Sequence, residues 1–240
     1  MDDRFLRNEM LIGKEEQLKL KNASVIIFGV GGVGSNACES LARCGVGSLT
    51  LVDSDKVDIT NINRQVHALE STVGKDKTLA MKERISEINP ESRVKTLNMF
   101  YLPENADEID LSKYDYIIDA IDTVSSKIEL AVRAQNLGVP IISCMGTGNK
   151  LHPEELKISD IYKTKMCPLC RVMRKELLKR NVKKLLVVYS EEKPIEPKFT
   201  LDDENRRSVP ASMHFVPATA GILIASRVVS DLTCHNGGEK

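Results

Sequence analysis

The segment that most constrains the fold spans residues 24–65. It opens with a short β-branched and apolar run, residues 25–28, which predicts a strand buried on both faces, as in parallel sheets. Residues 35–44 then predict a helix, and residues 48–52 predict a second strand that ends at Asp53. Between the first strand and the helix lie four glycines in the pattern GxGGxG: Gly29, Gly31, Gly32 and Gly34.

This unit has the features of a nucleotide-binding turn. Glycines let the backbone turn sharply and let a ligand approach where a side chain would collide. The free N–H groups and the positive dipole end of the next helix attract phosphate. An acidic residue about 20 positions further on suits a ribose hydroxyl, and Asp53 occupies that place. The segment therefore predicts nucleotide binding, although the glycines do not decide which nucleotide.

The connection after Asp53 is long and polar, unlike that of an ordinary dinucleotide-binding fold. It contains Asp55 and Arg64, and so dense a polar stretch favours a functional loop over plain scaffold. An amphipathic helix is predicted over residues 71–87, with Lys77 near its start. A basic residue is unfavourable at a helix N-terminus unless an anion lies nearby, and a nucleotide phosphate would supply that anion.

Strand and helix patterns alternate through the first half of the chain. Further strands are predicted at residues 94–99, 114–120 and 139–144. The alternation predicts an α/β fold with a mostly parallel sheet and helices on both faces. Asp122 follows the fourth strand, at the end of the sheet where ligands bind, and a carboxylate there can hold Mg²⁺ on a nucleoside triphosphate.

The regular alternation of strand and helix patterns ends after residue 150. Residues 156–164 predict an edge strand and residues 184–189 another strand. The polar, proline-containing residues 190–210 predict a mobile loop, and residues 214–232 a helix that closes the core.

We expect one domain over residues 1–240. A helical arm, residues 1–23, precedes a nucleotide-binding half, residues 24–150. Residues 151–240 form a C-terminal extension that completes the sheet and faces the substrate.

Composition narrows the classes of function. Basic and acidic residues are balanced at 34 each, so any nucleic-acid site must be a local patch, such as the basic residues 171–184. The charged N-terminus is not a secretory signal, and no apolar run approaches the roughly 20 residues that span a bilayer. With six scattered cysteines, we expect a cytoplasmic, reduced protein that does not associate with a membrane.

One pair of cysteines has metal-ligand spacing. Cys167 and Cys170 form a CxxC pair, and Cys234 with His235 could complete four zinc ligands. A second CxxC pair is missing, and the spacing to Cys234 is not a recognised one, so the sequence allows zinc at Cys167 and Cys170 but does not favour it.

The charged residues around the crevice distinguish a nicotinamide-cofactor site from an ATP site. A nicotinamide-dependent oxidoreductase would need the glycines and Asp53, but not Arg64, Lys77 and Asp122 around the same crevice. An ATP site needs all three, because cations neutralise the β- and γ-phosphates and an aspartate holds the metal while attack at the α-phosphorus expels pyrophosphate.

These motifs resemble the ubiquitin-activating-enzyme-like adenylyltransferase superfamily. The resemblance lies in residues 29–65, in VGKDK at residues 73–77 and in IDAIDTVSSK at residues 118–127. It implies a Rossmann-like sheet, adenylation of a carboxylate with MgATP, and a homodimer. It also implies that Arg7, in a segment like that family's N-terminal helix, reaches into the partner's site, and that Asp122 binds magnesium. The residues that it places against the nucleotide are Gly29, Gly31, Gly32, Gly34, Asp53, Asp55, Asn61, Arg64 and Lys77.

The second half resembles one branch, the tRNA threonylcarbamoyladenosine dehydratases. The similarity lies in residues 146–164, 167–180 and 214–229. It implies an AMP-forming, ligase-type enzyme that activates the threonyl carboxylate of the modified adenosine beside the anticodon, after which the carbamoyl oxygen closes a ring. The basic segment would then contact tRNA phosphates. The residues expected to do so are Arg171, Arg174, Lys175, Lys179 and Arg180.

Other functions stay open at this point. The alternatives are an adenylyltransferase that acts on the C-terminal Gly-Gly of a sulfur-carrier protein, a nicotinamide-dependent oxidoreductase, and a catalytically silent tRNA-binding module. A sulfur-relay or electron-transfer protein partner, the set of tRNAs, and any role for Cys144 or Cys234 are also undecided by the sequence.

Overall fold

A computed structural model describes residues 3–199 and 210–233 of the chain. The strands are β1 Ser24–Phe28, β2 Ser48–Val52, β3 Arg93–Leu97, β4 Tyr116–Asp119, β5 Ile141–Cys144, β6 Leu156–Asp160 and β7 Leu186–Ser190. The α-helices are α1 Leu6–Ile12, α2 Lys14–Asn22, α3 Gly34–Arg43, α4 Lys77–Ile88, α5 Val124–Leu137, α6 Pro168–Lys179 and α7 Phe215–Leu232. Short 3₁₀ turns lie at Asp3–Phe5, Ile59–Asn61, Glu70–Thr72, Pro103–Glu108, Leu111–Lys113, Pro153–Glu155 and Ile161–Lys163.

The strands form one seven-stranded sheet in the order β3-β2-β1-β4-β5-β7-β6. All neighbouring strands are parallel except β6, which pairs antiparallel with β7 at the edge. The predicted α/β class is confirmed, as is the edge position of β6. Strands of the C-terminal half continue the sheet of the N-terminal half, so the extension completes the sheet as the sequence predicted.

Both faces of the sheet are covered by helices. Along β1, Val25 and Ile27 point into a core that is shared with α3, α4 and α7. The alternate residues Ile26 and Phe28 point into the opposite core, against α5. Helix α6 adds to that second face, where Met173 and other apolar residues pack beside β7. Successive side chains of a strand point to opposite faces of the sheet. Because both faces are covered here, β1 needs an unbroken apolar run.

Two glycines allow the turn after β1 to form. Gly29 has φ 84°, and a side-chain carbon there would lie 2.6 Å from the Ala120 carbonyl oxygen. At Gly34, the first residue of α3, such a carbon would lie 1.8 Å from the Gly29 carbonyl oxygen. The turn, the helix and the end of β4 therefore approach one another more closely than any larger residue permits.

The helices at two places differ from their predicted bounds. The N-terminal segment is two helices rather than one, because Gly13 adopts φ 87° between α1 and α2. Helix α4 begins at Lys77 and not at residue 71, because Gly74 adopts φ 87° and ends the preceding turn. Both departures follow from glycine in the left-handed region, which interrupts helical hydrogen bonding.

Helix α7 is a core helix of the sheet. By length and composition its 18 residues could cross a membrane, a feature that the sequence interpretation overlooked. In the fold, Val216, Ala220, Ile224 and Val228 are buried at helical spacing against α3. Gly221 lies so close to α3 that a side-chain carbon would be 2.4 Å from the Val33 carbonyl oxygen. The loop was predicted at residues 190–210. After β7 ends at Ser190, residues 191–199 contain neither helix nor strand, and residues 200–209 lie outside the described part.

Candidate active site

A cleft of about 760 Å³ opens at the carboxyl ends of β1, β2, β4 and β5. The strands β2 and β3 lie on one side of β1, and β4 pairs with its other side. This edge therefore contains the topological switch point of the sheet. Most of the predicted site residues line the cleft. They are Gly29, Gly31, Gly32, Asp53, Asp55, Asn61, Arg64, Lys77 and Asp122.

The glycine turn forms the floor of the cleft. A side-chain carbon at Gly31 would meet no atom within 4 Å, so this backbone is open to a ligand. The aliphatic part of the Arg64 side chain packs against Gly32, and its Cγ would lie 3.3 Å from a side-chain carbon added at Gly32. Gly34 is buried beneath the turn and does not line the cleft, because its place is the close contact with Gly29. Its effect on a nucleotide is therefore indirect.

Asp53 ties the glycine turn to the end of β2. Its carboxylate accepts hydrogen bonds from the backbone N–H of Val30 at 2.6 Å and of Asp55 at 2.9 Å. Burial raises the pKa of Asp53, and the nearby Lys77 ammonium opposes that rise. The carboxylate is thus held in one position at the mouth of the turn, as ribose recognition requires.

The polar loop after β2 is a folded unit. Asp58 accepts from the backbone N–H of Thr60 at 2.8 Å, and Asn61 accepts from the N–H of Asp58 at 3.2 Å, which forms a capping box. Arg64 donates to the Thr60 carbonyl at 2.9 Å and to the Asn63 side chain at 2.8 Å. Within residues 3–199 and 210–233, no carboxylate forms an ion pair with Arg64. Its charge is therefore available to an anion in the cleft.

Lys77 reaches the cleft from the first residue of α4. Its ammonium lies 2.7 Å from Asp55 Oδ2, and its own side chain is only 9% exposed, against 62% for Asp55. The backbone N–H of Lys77 also donates to the Asp55 carbonyl. Because the Asp55 carboxylate is exposed, it can rotate toward the solvent. The buried Lys77 ammonium can then bind a phosphate.

Asp122 and a buried group behind it shape the end of β4. Asp122 is exposed at the cleft, and its hydrogen bond from the Thr123 hydroxyl is long, at 3.5 Å. Behind it, the fully buried Lys127 ammonium lies 2.9 Å from Asp119 Oδ1. Ser143 of β5 donates to the other oxygen of Asp119. In the sequence, Asp119 is one more acid at the end of a strand, and its partners cannot be foreseen because Lys127 resembles any other helical lysine.

Sequence reasoning also missed the far wall of the cleft. This wall comes from the loop after β5, from the start of α6 and from the segment before α7, and Asn63 anchors it by donating to the Ser212 carbonyl at 2.9 Å. Its residues include Met145, Thr147, Leu169, Ser212 and Pro217. Apolar and small residues such as these carry no chemical signature in a sequence.

The cysteines form no metal centre in the described part of the chain. There, no group of three or more His, Cys, Asp or Glu could hold a metal ion. Cys167 and Cys170 are both buried with free thiols. The other two proposed zinc ligands, Cys234 and His235, lie outside the described residues.

The basic residues of the α6 segment are not equivalent. Arg174 turns inward and donates to the Thr164 carbonyl at 3.1 Å. Lys179 and Arg180 pair with Glu176 of the same segment, at 2.7 and 2.8 Å. Arg171 and Lys175 are exposed. Four residues of the expected tRNA face are therefore exposed, two of them paired with Glu176, while Arg174 is half-buried.

Arg7 lies on the exposed side of α1 and does not line the cleft of its own chain. Its expected role requires a second chain and stays a prediction.

Comparisons with known proteins identify the family of the chain. The model of the ThiF family matches residues 5–235. A tRNA threonylcarbamoyladenosine dehydratase of Bacillus subtilis (strain 168) is 46% identical over 242 residues, which cover 95% of this chain and 94% of that protein.

Two crystal structures of the E. coli tRNA N6-threonylcarbamoyladenosine dehydratase share the fold. The complex with AMP has a TM-score of 0.87 at 32% identity, covering 97% of this chain and 94% of that chain. The complex with ATP has a TM-score of 0.86 at 31% identity, covering 99% and 96%. The fold, the cleft and these similarities lead to one conclusion: the chain belongs to the ThiF family, in its group of tRNA threonylcarbamoyladenosine dehydratases.

Proposed function

We propose that this protein uses ATP to dehydrate threonylcarbamoyladenosine in tRNA to its cyclic form. The observation that carries the proposal is that Arg64, Lys77 and Asp122 line the same cleft as the glycine turn, in a chain 46% identical to a dehydratase over nearly its whole length. The glycine turn and Asp53 alone would suit any nucleotide. Two cations in the cleft, Arg64 and Lys77, favour a triphosphate, whose charge they would offset.

The chemistry requires two displacements. A carboxylate oxygen of the threonyl group attacks the α-phosphorus of ATP and pyrophosphate leaves. The carbamoyl oxygen then attacks the activated carboxyl carbon, and AMP leaves with the former carboxylate oxygen while a carbamoyl nitrogen gives up its proton. The sum is the loss of one water at the expense of ATP. Arg64 and Lys77 would stabilise charge on the phosphates in the first step.

Ring closure of this kind needs no protein nucleophile. Cys144 lines the cleft, but burial raises the pKa of its thiol to about 12, so it is protonated near neutral pH. A thiol is a far weaker nucleophile than a thiolate. The state of Cys144 therefore supports direct attack by the substrate's own oxygen.

The residues at the cleft fit a magnesium ion held mainly by nucleotide phosphates. Mg²⁺ on a nucleotide usually takes one or two carboxylates from the protein, and Asp122 is a cleft carboxylate that no cation pairs with in the described residues. Such an ion, when bound, would lower the charge of the phosphates under attack. The protein's part would be to present Asp122 at the cleft, and the buried Asp119, which pairs with Lys127, accepts a hydrogen bond from the backbone N–H of the preceding residue, Ile121, at 3.2 Å.

We also infer a homodimer in which Arg7 acts on the partner's cleft. The support is the exposure of Arg7 on α1 and of the apolar Met10 and Leu11, which are 81% and 84% exposed beside it. Mixing an Arg7→Ala chain with an Asp122→Ala chain should restore part of the activity, since one site in a mixed dimer keeps both groups. Confirmed mixed dimers without recovery would contradict this role. A cytoplasmic location, where the tRNA substrate and free thiols are found, completes the proposal.

The decisive experiment supplies the purified protein with MgATP and tRNA that carries threonylcarbamoyladenosine. We expect the nucleoside to lose one water while AMP and pyrophosphate form, and we expect neither product with Asp122→Ala. Unmodified tRNA is the matched substrate control and should give no AMP. If pyrophosphate appears only with a sulfur-carrier protein that ends in Gly-Gly, the proposal is wrong and the alternative adenylyltransferase holds.

A further inference from the structure

A second concave surface lies at the end of the sheet opposite to the cleft. It is a groove of about 430 Å³ at the amino ends of β1, β2 and β3, roughly 16 Å from the cleft along the strands. Three cations and several hydroxyl groups line this amino-end groove, and no carboxylate does so among the described residues. Its lining includes Ser48, Thr50, Arg93, Lys95, Lys113 and Tyr114.

The groove exists because no helix of the β3–β4 crossover covers this part of the sheet. In parallel sheets such a crossover usually places an α-helix over one face. Here the crossover, which is described throughout, contains the 3₁₀ turns Pro103–Glu108 and Leu111–Lys113 instead. Helix α5 packs on the neighbouring part of the same face, over Ile26 and Phe28. The amino ends of β2 and β3 therefore stay open to solvent on this face.

The strand register places hydroxyl groups beside cations in the groove. On the paired strands β2 and β3, Ser48 lies opposite Arg93 and Thr50 lies opposite Lys95. Neighbouring strands are about 4.8 Å apart, so one small anion can reach a hydroxyl and a cation together. Leu49, between the two hydroxyl residues, points into the core on the other face. The hydroxyl residues thus occupy the one face of β2 that the groove exposes.

Thr50 distinguishes the groove from an ordinary charged surface. Thr50 is only 4% exposed, yet its hydroxyl has no hydrogen-bond partner among the described residues. A buried hydroxyl without a partner lowers stability, and a valine of the same shape would avoid that loss. Since Thr50 lines the groove, a ligand atom there can supply the missing partner.

The charges of the groove are not neutralised by the surrounding residues. Within the described part of the chain, Arg93 and Lys95 form no ion pair. Lys113 lies 3.2 Å from Asp110, but both side chains are exposed and such a pair is weak. Asp115 follows the groove in the chain, and its carboxylate accepts the backbone N–H at the start of β1 at 2.8 Å. The groove therefore keeps a positive charge.

We propose that the amino-end groove binds a small phosphorylated compound. Arg93 and Lys95 donate to the phosphate oxygens, and the hydroxyls of Ser48 and Thr50 donate from the sheet. A guanidinium and a phosphate match in geometry, and the volume of the groove is within the range of small-molecule sites. Charges on an edge strand also discourage pairing with another sheet, but that purpose needs no buried hydroxyl at Thr50.

The test titrates inorganic pyrophosphate into the protein by calorimetry at constant ionic strength. Because the cleft has its own cations, the full-length parent protein carries Arg64→Ala and Lys77→Met. We expect saturable binding that weakens at least about tenfold when Arg93→Gln and Lys95→Gln are added. Lys82→Gln removes an exposed lysine of α4 and is the matched control, expected to leave the affinity unchanged. Equal affinity in the parent and in the variant with both groove substitutions would overturn the proposal.

Thr50→Val separates a ligand site from a hydroxyl that serves the fold. Valine keeps the shape and removes the donor, so the melting temperature of the free protein should stay the same or rise. The affinity for pyrophosphate should fall roughly two- to tenfold. A lower melting temperature with unchanged affinity would show that the protein itself uses the hydroxyl, and would contradict the proposal.

A phosphate group can also belong to a nucleic-acid backbone, and a separate measurement distinguishes that source. Filter binding compares the tRNA affinity of wild type with that of the Arg93→Gln, Lys95→Gln variant. We expect equal affinities, because the groove lies at the opposite end of the sheet from the cleft. A loss of tRNA affinity without any change in pyrophosphate binding would overturn the proposal. The calorimetry needs neither tRNA nor turnover, so its result is independent of the proposed dehydratase activity.

Discussion

The floor of the cleft and helix α6 arrange their charged side chains in opposite ways. In the floor, a buried cation is tied to a residue of another element, as in the pair of Lys77, which is 9% exposed, with Asp55. On α6, charges are exposed and tied to near neighbours, as in the pairs of Glu176 with Lys179 and Arg180. The first arrangement can exist only after the sheet has formed, while the second needs a single helix.

This difference has an energetic consequence. An ion pair in a poorly hydrated site interacts strongly, and the loss of one member leaves a buried charge without compensation. An exposed pair contributes about 0–1 kcal/mol, because water and salt screen it. Single substitutions should therefore have large effects in the floor, and several substitutions should be needed for a comparable effect on α6.

The largest effect should follow from breaking the buried pair behind the cleft. Lys127→Met leaves the Asp119 carboxylate buried without its cation, so we expect the free energy of unfolding to fall by roughly 3–5 kcal/mol, measured by urea denaturation. Lys113→Met removes an exposed lysine that pairs with Asp110 and should cost about 0–1 kcal/mol. Similar losses in both variants would contradict the importance of burial.

A substitution in the floor should impair turnover without unfolding the protein. Arg64→Ala removes a cation that pairs with no carboxylate in the described part of the chain, and we expect kcat to fall about 100- to 1000-fold. Thermal denaturation should show the wild-type midpoint within a few degrees. Glu176→Ala on α6 removes a charge from exposed ion pairs without removing an expected tRNA contact and is the control, and activity as low as that of Arg64→Ala would remove the contrast between the regions.

The stability of the protein should also depend on pH through the buried His67. The ring is 1% exposed, and neither nitrogen has a hydrogen-bond partner among the residues that the structure describes. Burial first, then the Lys77 and Arg84 charges, lower its pKa from 6.5 to about 4. As pH falls from 6.5 to about 4, the unfolded chain takes up a proton that the folded chain does not. The free energy of unfolding should therefore fall across this window by roughly 3 kcal/mol.

Urea denaturation at a series of pH values measures this dependence. His67→Gln keeps a polar side chain but cannot take up the proton, so its stability should vary less than that of the wild type between pH 6.5 and about 4. Parallel curves for the two proteins would show that His67 is hydrated in the folded state.

The smallest effects should come from the exposed residues of α6. Arg171→Ala combined with Lys175→Ala should weaken tRNA binding by roughly three- to tenfold and lower the slope of log affinity against log salt by about 2, since each phosphate contact contributes about 1. Lys95→Ala, on the edge strand at the other end of the sheet, is the control. An unchanged salt slope in the double variant would place the tRNA elsewhere.

Much of the fold was predictable because it depends on local pattern. The apolar runs that became β1 and β2 are recognisable without neighbours, and the glycines after β1 indicate a turn by themselves. The arm was predicted less well: a helical pattern runs through Gly13, and only its left-handed conformation divides α1 from α2. Periodicity records which face is apolar and does not record a break in the backbone.

The candidate site likewise has one part that the sequence predicts and another that depends on the tertiary structure. The chain by itself determined a nucleotide turn and a set of charged residues that favour ATP, because their types and spacing already express the chemistry. Only the tertiary structure decided that Asp119 and Lys127 are a buried pair and that Gly34 supports the turn from below. These relations join residues far apart in sequence or depend on desolvation, and both are properties of the packed sheet.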